Sequence, residues 1–458
     1  MKAIPLPENI AALFAFLGGN DLPAWLVGGC LRDYFLAKPP ADWDFATPCP
    51  PAETGAKLRR AGLRVLETGR RHGTLTFIWR EKHYEITTFR ADGPYSDHRR
   101  PDWVSYTDCL EKDLARRDFT VNAMAYRPEE GLRDPFGGLA DLERRLVRAV
   151  GEAPRRLAED PLRILRGVRF AAGLGGELEA SLGRAITAQA ASLRQISPER
   201  VAGELRALLL LPDPRVGLAL LAELALWPYI IPEMTATVGF AQHSAYHYLD
   251  VYDHMCLTAA NAPADLSLRL AALLHDIGKP AVFTLDGKGK GHFKGHERAG
   301  GEIAGRALER LRFSHRLRDQ VVLLIEHHML HLKTLRPPAL RRILAALPPP
   351  RRENLERILL LQKADLLASR YTAASLAEFE DFAAGCRAIL DSGCSLDIRD
   401  LAVDGRDLVA LGVPPAARAR TLAALLDEAL ERPELNRREI LLARAAALAN
   451  SESSRRKM

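Results

Sequence analysis

The stretch Leu26-Val-Gly-Gly-Cys-Leu-Arg-Asp33, followed after a short loop by Asp42-Trp-Asp44-Phe-Ala-Thr47, constrains this chain more than any other. Ala24 to Val27 predicts a short strand, Gly28-Gly29 a turn with no Cβ in the way, and Cys30 to Leu36 a helix. A Gly-Gly turn feeding a helix N-terminus aims free N–H groups and the positive end of the helix dipole at one point, which suits phosphate. Arg32 adds a charge-assisted grip on the same anion. Asp42 and Asp44 stand two apart, and on a strand such residues share a face. Converging carboxylates repel unless a cation lies between them, and an all-oxygen pair suits Mg²⁺ carrying a nucleotide's phosphates. The chemistry implied is metal-assisted phosphoryl or nucleotidyl transfer. Either motif alone reads equally as a surface turn or two solvated aspartates; their order and spacing favour the site.

At 458 residues the chain exceeds one compact core, so two to four domains are expected. Hydrophobic residues at 47% and charged residues at 27% are ordinary globular values and exclude global disorder. No apolar run reaches membrane-spanning length, and Met1-Lys-Ala-Ile-Pro-Leu-Pro has no signal-peptide pattern. Six scattered cysteines (Cys30, Cys49, Cys109, Cys256, Cys386, Cys394) without a C-x-x-C fit a reducing cytoplasm. A net charge of +6 permits a polyanionic partner without requiring one.

Along the first 150 residues, Ile10, Leu13, Phe14 and Leu17 mark an amphipathic helix, and Leu75–Trp79 with His83–Thr88 predict a hairpin. Glu85 on that hairpin reads either as a third carboxylate near Asp42 and Asp44 or as an ordinary strand glutamate. The aperiodic stretch 91–101 reads as a loop, either a lid over the site or a plain surface connection. In Asp113-Leu-Ala-Arg-Arg-Asp-Phe-Thr-Val-Asn122, Arg116, Arg117 and Asn122 suit a triphosphate and a ribose hydroxyl, although a solvated helix presents the same pattern. In Glu159-Asp-Pro-Leu-Arg-Ile-Leu-Arg166, a helix places Asp160 and Arg163 side by side, with Arg166 on a neighbouring turn. An aspartate that accepts from an exocyclic amine and an arginine that donates to ring nitrogens or a carbonyl together read a base edge. Adenine and cytosine carry that amine; uracil and guanine do not offer it at the same place. The bland alternative is a surface ion pair between the two.

Ten of the thirteen histidines fall between His243 and His331. Among them, Leu270-Ala-Ala-Leu-Leu-His-Asp276 is an apolar helix ending in a His-Asp doublet. His254, His275, Asp276 and Asp365, drawn from several helices, predict a mixed nitrogen and oxygen cage for a divalent transition metal whose open positions activate water against a phosphoester. A binuclear centre would add His296 and His327.

Four motifs, GGCLRD with DWDFAT, LARRDFTVNAMAY, DPFGGLADLERRLVRAV and EDPLRILRGVRFAA, give the chain a strong resemblance to the bacterial-type tRNA nucleotidyltransferase and poly(A) polymerase family, joined to an HD phosphohydrolase domain. ISPERVAGEL is similar to the helical motif that follows them. The resemblance implies an α+β protein: a small polymerase-β-like nucleotidyltransferase α/β head over 1–150, a helical neck with the base-reading helix over 151–235, an HD domain over 236–371 and a helical tail over 372–458. It implies template-free addition of C, C and A to tRNA from CTP and ATP; the cysteines point to the cytoplasm, the hydropathy to no membrane span, and no protein partner is implied. By matching motif, Asp42 and Asp44 hold Mg²⁺, Gly29 and Arg32 contact the triphosphate, and Arg117, with Arg116 and Asn122 close by, contacts phosphates and ribose. Asp160 and Arg163 read the incoming base, supported by Arg166 and Arg169. Alternatives are an A-adding enzyme or poly(A) polymerase with the same head, a chain whose main work is HD phosphohydrolysis, and a purely RNA-binding protein.

Overall fold

The computed structural model describes all residues except 1–3, 67–68, 70–72, 96–100, 244–247, 330–335 and 456–458. The chain divides into two compact units, Met1–Thr235 with Glu309–Phe313, and Ala236–Leu308 with Ser314–Met458.

The first unit is built on a seven-stranded mixed sheet. Its strands are β1 (Trp25–Val27), β2 (Asp44–Thr47), β3 (Arg64–Leu66), β4 (Thr74–Trp79), β5 (Lys82–Thr88), β8 (Ala125–Arg127) and β9 (Gly131–Arg133), in the order β3-β4-β5-β2-β1-β8-β9. A separate antiparallel pair, β6 (Arg90–Asp92) and β7 (Val104–Tyr106), stands beside it. The predicted hairpin is therefore present as β4 and β5, while the stretch read as a loop opens with a strand. The lid reading falls in part, over 96–100, on residues outside those described.

Alternation along the short central strands buries both faces of the sheet. Leu26 and Phe45 join Leu13, Phe77 and Ile86 in one core, whereas Trp25, Val27 and Ala46 join Leu110, Leu114 and Phe89 in another. The second face is the one Asp44 shares with Ala46. The Leu110–Ala115 helix that covers it runs directly into Arg116 and Arg117, so core packing brings two guanidiniums toward Asp44. Gly28 takes φ +79°, the left-handed region that favours glycine, and turns β1 into the Gly29–Phe35 helix. Gly138 is fixed for another reason: a Cβ there would lie 2.1 Å from the Thr120 carbonyl oxygen.

Beyond the sheet, the Ala153–Glu159 helix leads to Leu162–Leu174, which packs against Pro198–Leu209 and Arg215–Glu223. In the second unit, Val251–Asn261 packs on Leu266–Leu274 and Arg351–Ala368, and Leu266–Leu274 also meets His315–Glu326. Farther along, Leu401, Leu408, Leu425 and Leu441 form a small core of their own. No helix among the described residues is long and apolar enough to cross a membrane.

Candidate active sites

A cleft of about 440 Å³ opens over the end of β1 and β2. Gly28, Gly29 and Arg32 form one side of it, Asp44 lies in it, and Arg116, Arg117, Asp118 and Asn122 line the next stretch. Asp160, Arg163, Arg166 and Arg200 complete the wall.

β2 begins at Asp44, so the strand argument for Asp42 fails: Asp42 lies in the irregular lead-in and is exposed. The loop through Pro39 and Pro40 keeps the chain irregular until Asp44 pairs. Asp44 instead has Glu85 beside it, in register on the parallel strand β5. The Asp44 carboxyl is raised above its ordinary value, first by partial desolvation and then by the charge of Glu85; Arg117 offsets this and Asp42 adds to it. Three carboxylates whose charges oppose one another suit a bound cation. Strand register thus sets Glu85, an exposed position of β5, beside Asp44.

The arginines are held in place rather than free. Arg32 donates to Asp33 (2.9 and 2.8 Å) and to Asn122 Oδ1 (2.8 Å). Asp113, almost fully buried, accepts from Arg116 (3.0 Å) and from Arg117 (3.4 Å). Asp118 accepts from Arg166 Nε (2.8 Å), from the Phe119 N–H (2.8 Å) and from Asn122 Nδ2 (3.2 Å). Burial alone raises the Asp118 carboxyl, but Arg166 outweighs it and holds the group below its usual range. Arg32, Arg166 and Arg169 all lie over the Phe170 ring, at 5.0, 5.3 and 4.4 Å from its centre. Arg169 is tied to Glu204 (2.6 Å), and it does not line the cleft.

The Asp160–Arg163 pairing expected on one helix is absent. Proline disfavours the helical region for the residue before it, so Pro161 leaves Asp160 extended (φ −147°, ψ 100°) ahead of a helix that starts at Leu162. Arg163 turns instead to Glu159 (2.7 Å) and to the Arg156 carbonyl (3.0 Å). Asp160 accepts from the Leu162 N–H (3.1 Å) and from Arg200 (2.8 Å). The surface ion pair between the two is thereby excluded, and both side chains line the cleft. Glu159 and Arg200 were missed by sequence reasoning. Glu159 stands in EDPLRILRGVRFAA and Arg200 in ISPERVAGEL, but Arg200 lies 40 residues from Asp160, and nothing local in either motif pairs those two.

In the second unit the histidine cluster assembles from five segments around a pocket of about 540 Å³. His254 Nε2 stands 2.9 Å from Asp365 Oδ1 and 3.6 Å from Asp276 Oδ2, and His275 Nε2 stands 3.2 Å from Asp276 Oδ2. On the other side, Asp276 Oδ1 faces His296 Nε2 (3.4 Å) and His328 Nε2 (3.9 Å). His275, His296 and His328 each set Nδ1 on a main-chain carbonyl, of Ala272, Phe293 and Ile325 (2.9, 2.8 and 2.6 Å). A carbonyl only accepts, so Nδ1 carries a proton, and in the neutral ring Nε2 presents its lone pair to the pocket. Lone pairs of His296 and His328 then face each other at 3.3 Å, an arrangement a divalent ion between them resolves. The donor set therefore fits a metal. Among the described residues two ligand groups stand out: His254, His275 and Asp365, and His275, Asp276 and His328.

The second side belongs to His328, not to the expected His327. His327 caps the His315–Glu326 helix and gives Nδ1 to the Leu323 carbonyl (2.9 Å) at the pocket rim. One residue along a helix end turns a side chain by roughly 100°, which adjacency in sequence does not resolve. Lys279, also buried, reaches Asp276 Oδ2 at 2.6 Å. Asp276 is held well below the usual carboxylate range: burial pushes it up, and His275 and Lys279 pull it further down.

Three family models match the chain: "Poly A polymerase head domain" over residues 24–148, "Probable RNA and SrmB- binding site of polymerase A" over 177–237, and "HD domain" over 245–370. The A-adding tRNA nucleotidyltransferase of Deinococcus radiodurans is 36% identical over 363 residues, 77% of this chain and 78% of that one. The chain belongs to the tRNA nucleotidyltransferase and poly(A) polymerase family. As a member of this family it is a mixed α+β protein with a nucleotidyltransferase head and a helical HD domain. The CCA-adding enzyme of Geobacillus thermodenitrificans is 44% identical over 214 residues, 47% of this chain. The chain spans about half the length of that relative, 52%. Among solved structures, the Bacillus stearothermophilus CCA-adding enzyme in complex with CTP superposes with a TM-score of 0.70 at 26% identity, covering 98% of each chain. The Thermotoga maritima CCA-adding enzyme complexed with tRNA shares the fold, with a TM-score of 0.60 at 17% identity.

Proposed function

We propose that this chain extends the 3′ end of tRNA without a template, adding C, C and A from CTP and ATP in the cytoplasm. The observation that carries the reading is the cleft in which Asp160 and Arg163, each anchored by a partner of its own, stand across from Asp44 and the Gly28–Gly29 turn. Asp160 accepts from the exocyclic amine that cytosine and adenine share, and Arg163 donates to the neighbouring ring nitrogen or carbonyl. Gly29, Arg32, Arg117 and, beside them, Arg116 and Asn122 take the triphosphate and ribose, and Arg166 and Arg169 support the base-reading helix. Asp42, Asp44 and Glu85 would hold Mg²⁺, which when bound neutralises the phosphates and favours ionisation of the attacking hydroxyl. The protein's share is alignment of the tRNA 3′ hydroxyl with the α-phosphate and neutralisation of the departing pyrophosphate. The names of the relatives support tRNA as the acceptor, and the CTP held by the Bacillus stearothermophilus enzyme supports the nucleotide. Six free cysteines agree with a reducing compartment.

A second reading has an observation of its own: the Deinococcus relative, which aligns over 77% of this chain, is an A-adding enzyme. One experiment separates the two. A tRNA transcript ending at the discriminator base is incubated with CTP alone, ATP alone and both. Extension by two, then by three when ATP is present, supports CCA addition. Extension only of a transcript already carrying C-C supports A addition, and no extension of either refutes both.

We further propose that the histidine cluster is a metal-dependent phosphohydrolase centre. His254, His275, Asp276 and Asp365 would hold one ion, with His296 and His328 on its far side; a bound ion supplies an activated water for a phosphoester. Release of phosphate from a generic phosphomonoester, abolished by Asp276→Ala and untouched by Asp44→Ala, is the expected result.

A further inference from the structure

Arg200 lines the cleft beside Asp160. It is the third residue of the Pro198–Leu209 helix, whose Val201, Leu205 and Leu208 are buried and which packs along the Leu162–Leu174 helix. From that seat Arg200 Nη2 reaches Asp160 Oδ2 at 2.8 Å. Both partners are mostly buried, with side chains 21% and 15% exposed, and both line the cleft. Among the described residues the other Asp160 oxygen accepts only the Leu162 N–H, at 3.1 Å. One turn on, Glu204 takes Arg169 (2.6 Å) and approaches Arg166 (4.0 Å). The helix thus lays an i, i+4 pair of opposite charges along the face that carries the reading residues.

Resting on the nucleotidyltransferase reading above, we infer that Arg200 is a positioning residue for base selection: its ion pair with Asp160 fixes the carboxylate plane that accepts the exocyclic amine of the incoming nucleotide. Asp160 sits on an extended residue between two helices, where its own backbone restrains it little. A single hydrogen bond from Leu162 leaves the carboxylate free to swing about it. A second, charge-assisted bond from a helix anchored elsewhere removes that freedom. Each oxygen keeps a lone pair for the base. Loosened, the carboxylate meets a uracil or guanine carbonyl at a wider range of angles and rejects it less strongly.

The test compares the full chain with Arg200→Gln and Arg200→Lys. Incorporation of CTP, ATP, UTP and GTP into a tRNA transcript is measured as kcat and KM, and binding of CTP, UTP and tripolyphosphate by calorimetry. Arg200→Gln is expected to lower the CTP-over-UTP ratio of kcat/KM by about tenfold or more, the scale of one base-reading contact. Arg200→Lys, which keeps one bond to Asp160, is expected to recover most of that ratio. Tripolyphosphate has no base, and its affinity is expected to stay within about twofold of wild type. A ratio unchanged in Arg200→Gln, or tripolyphosphate affinity falling in step with CTP affinity, overturns the inference. If the wild-type chain extends no tRNA, the nucleotidyltransferase reading fails on that result, and the CTP-against-UTP binding ratio still judges Arg200.

Discussion

Asp118→Asn offers a direct measure of how much the arginine-lined wall is held by charge. The wild-type carboxylate is 8% exposed and takes Arg166 through Nε and Nη2 at 2.8 and 2.6 Å. An asparagine keeps the bond from the Phe119 N–H, but its remaining face is either neutral or turns a donor toward Arg166. Breaking a buried ion pair costs about 3–5 kcal/mol. The Arg166 side chain is 34% exposed, so water recovers part of its solvation, and about 2 kcal/mol is the expected loss. For a unit of this size that is a fall in Tm of about 4–8 °C. All five tryptophans (Trp25, Trp43, Trp79, Trp103 and Trp227) lie in the first unit, so tryptophan fluorescence reports its unfolding alone. The native carboxyl is depressed below its unfolded value, so its stabilisation is complete above the unfolded pKa of about 3.9 and is lost as pH falls through the native one. The Tm gap between wild type and variant is therefore full at pH 7 and narrows on acidification below about pH 4. A gap under about 1 °C at pH 7, or one that widens in acid, refutes the reasoning.

Other substitutions probe the remaining parts. Asp44→Asn is expected to reduce nucleotide incorporation by on the order of a thousandfold or more with far-UV circular dichroism unchanged; near-normal incorporation removes Asp44 from the chemistry. Glu85→Gln should raise the Mg²⁺ concentration needed for half-maximal rate by about tenfold; a superimposable Mg²⁺ titration means Glu85 does not help hold the ion. Glu159→Gln removes the negative charge shared by Arg156 and Arg163 and should raise KM for CTP and ATP alike by about tenfold, and an unchanged KM for both contradicts it. His328→Ala should weaken metal retention after dialysis by about 10–100-fold, measured as bound metal per chain, while His327→Ala should not; the reverse order would restore the expectation drawn from sequence.

Local chemistry was legible in the chain; what depended on strand register or helix phase was not. The Gly28–Gly29 turn, the carboxylate at Asp44 and the hairpin that became β4 and β5 follow from residue type and spacing over a few positions. The pairing of Asp44 with Glu85 needed the knowledge that β2 and β5 are parallel neighbours, although 41 positions separate them in sequence. The expected strand at Asp42 failed because a period-two argument holds only where the ladder forms. At 160–163 both side chains line the cleft, but not side by side on one helix, because Pro161 leaves Asp160 extended ahead of the helix that carries Arg163. His327 and His328 differ only in which side of a helix end they leave, and nothing in a His-His doublet encodes that. Arg200 stands in the ISPERVAGEL motif, but its partner comes from tertiary packing of two helices, which no local pattern encodes.

The carbonyl end of the Leu110–Ala115 helix has a consequence for how errors are felt. Arg156 Nη2 takes the Ala115 carbonyl at 2.7 Å, and Arg163 Nη2 approaches the Arg116 carbonyl at 3.5 Å. The main chain that bears Arg116 and Arg117 is thus stitched to the arginine proposed to inspect the base. On the proposed roles, a misfit that pushes position 163 aside would loosen the same backbone from which Arg116 and Arg117 project, so that inspection at one end of a nucleotide and alignment at the other would form a single mechanical linkage.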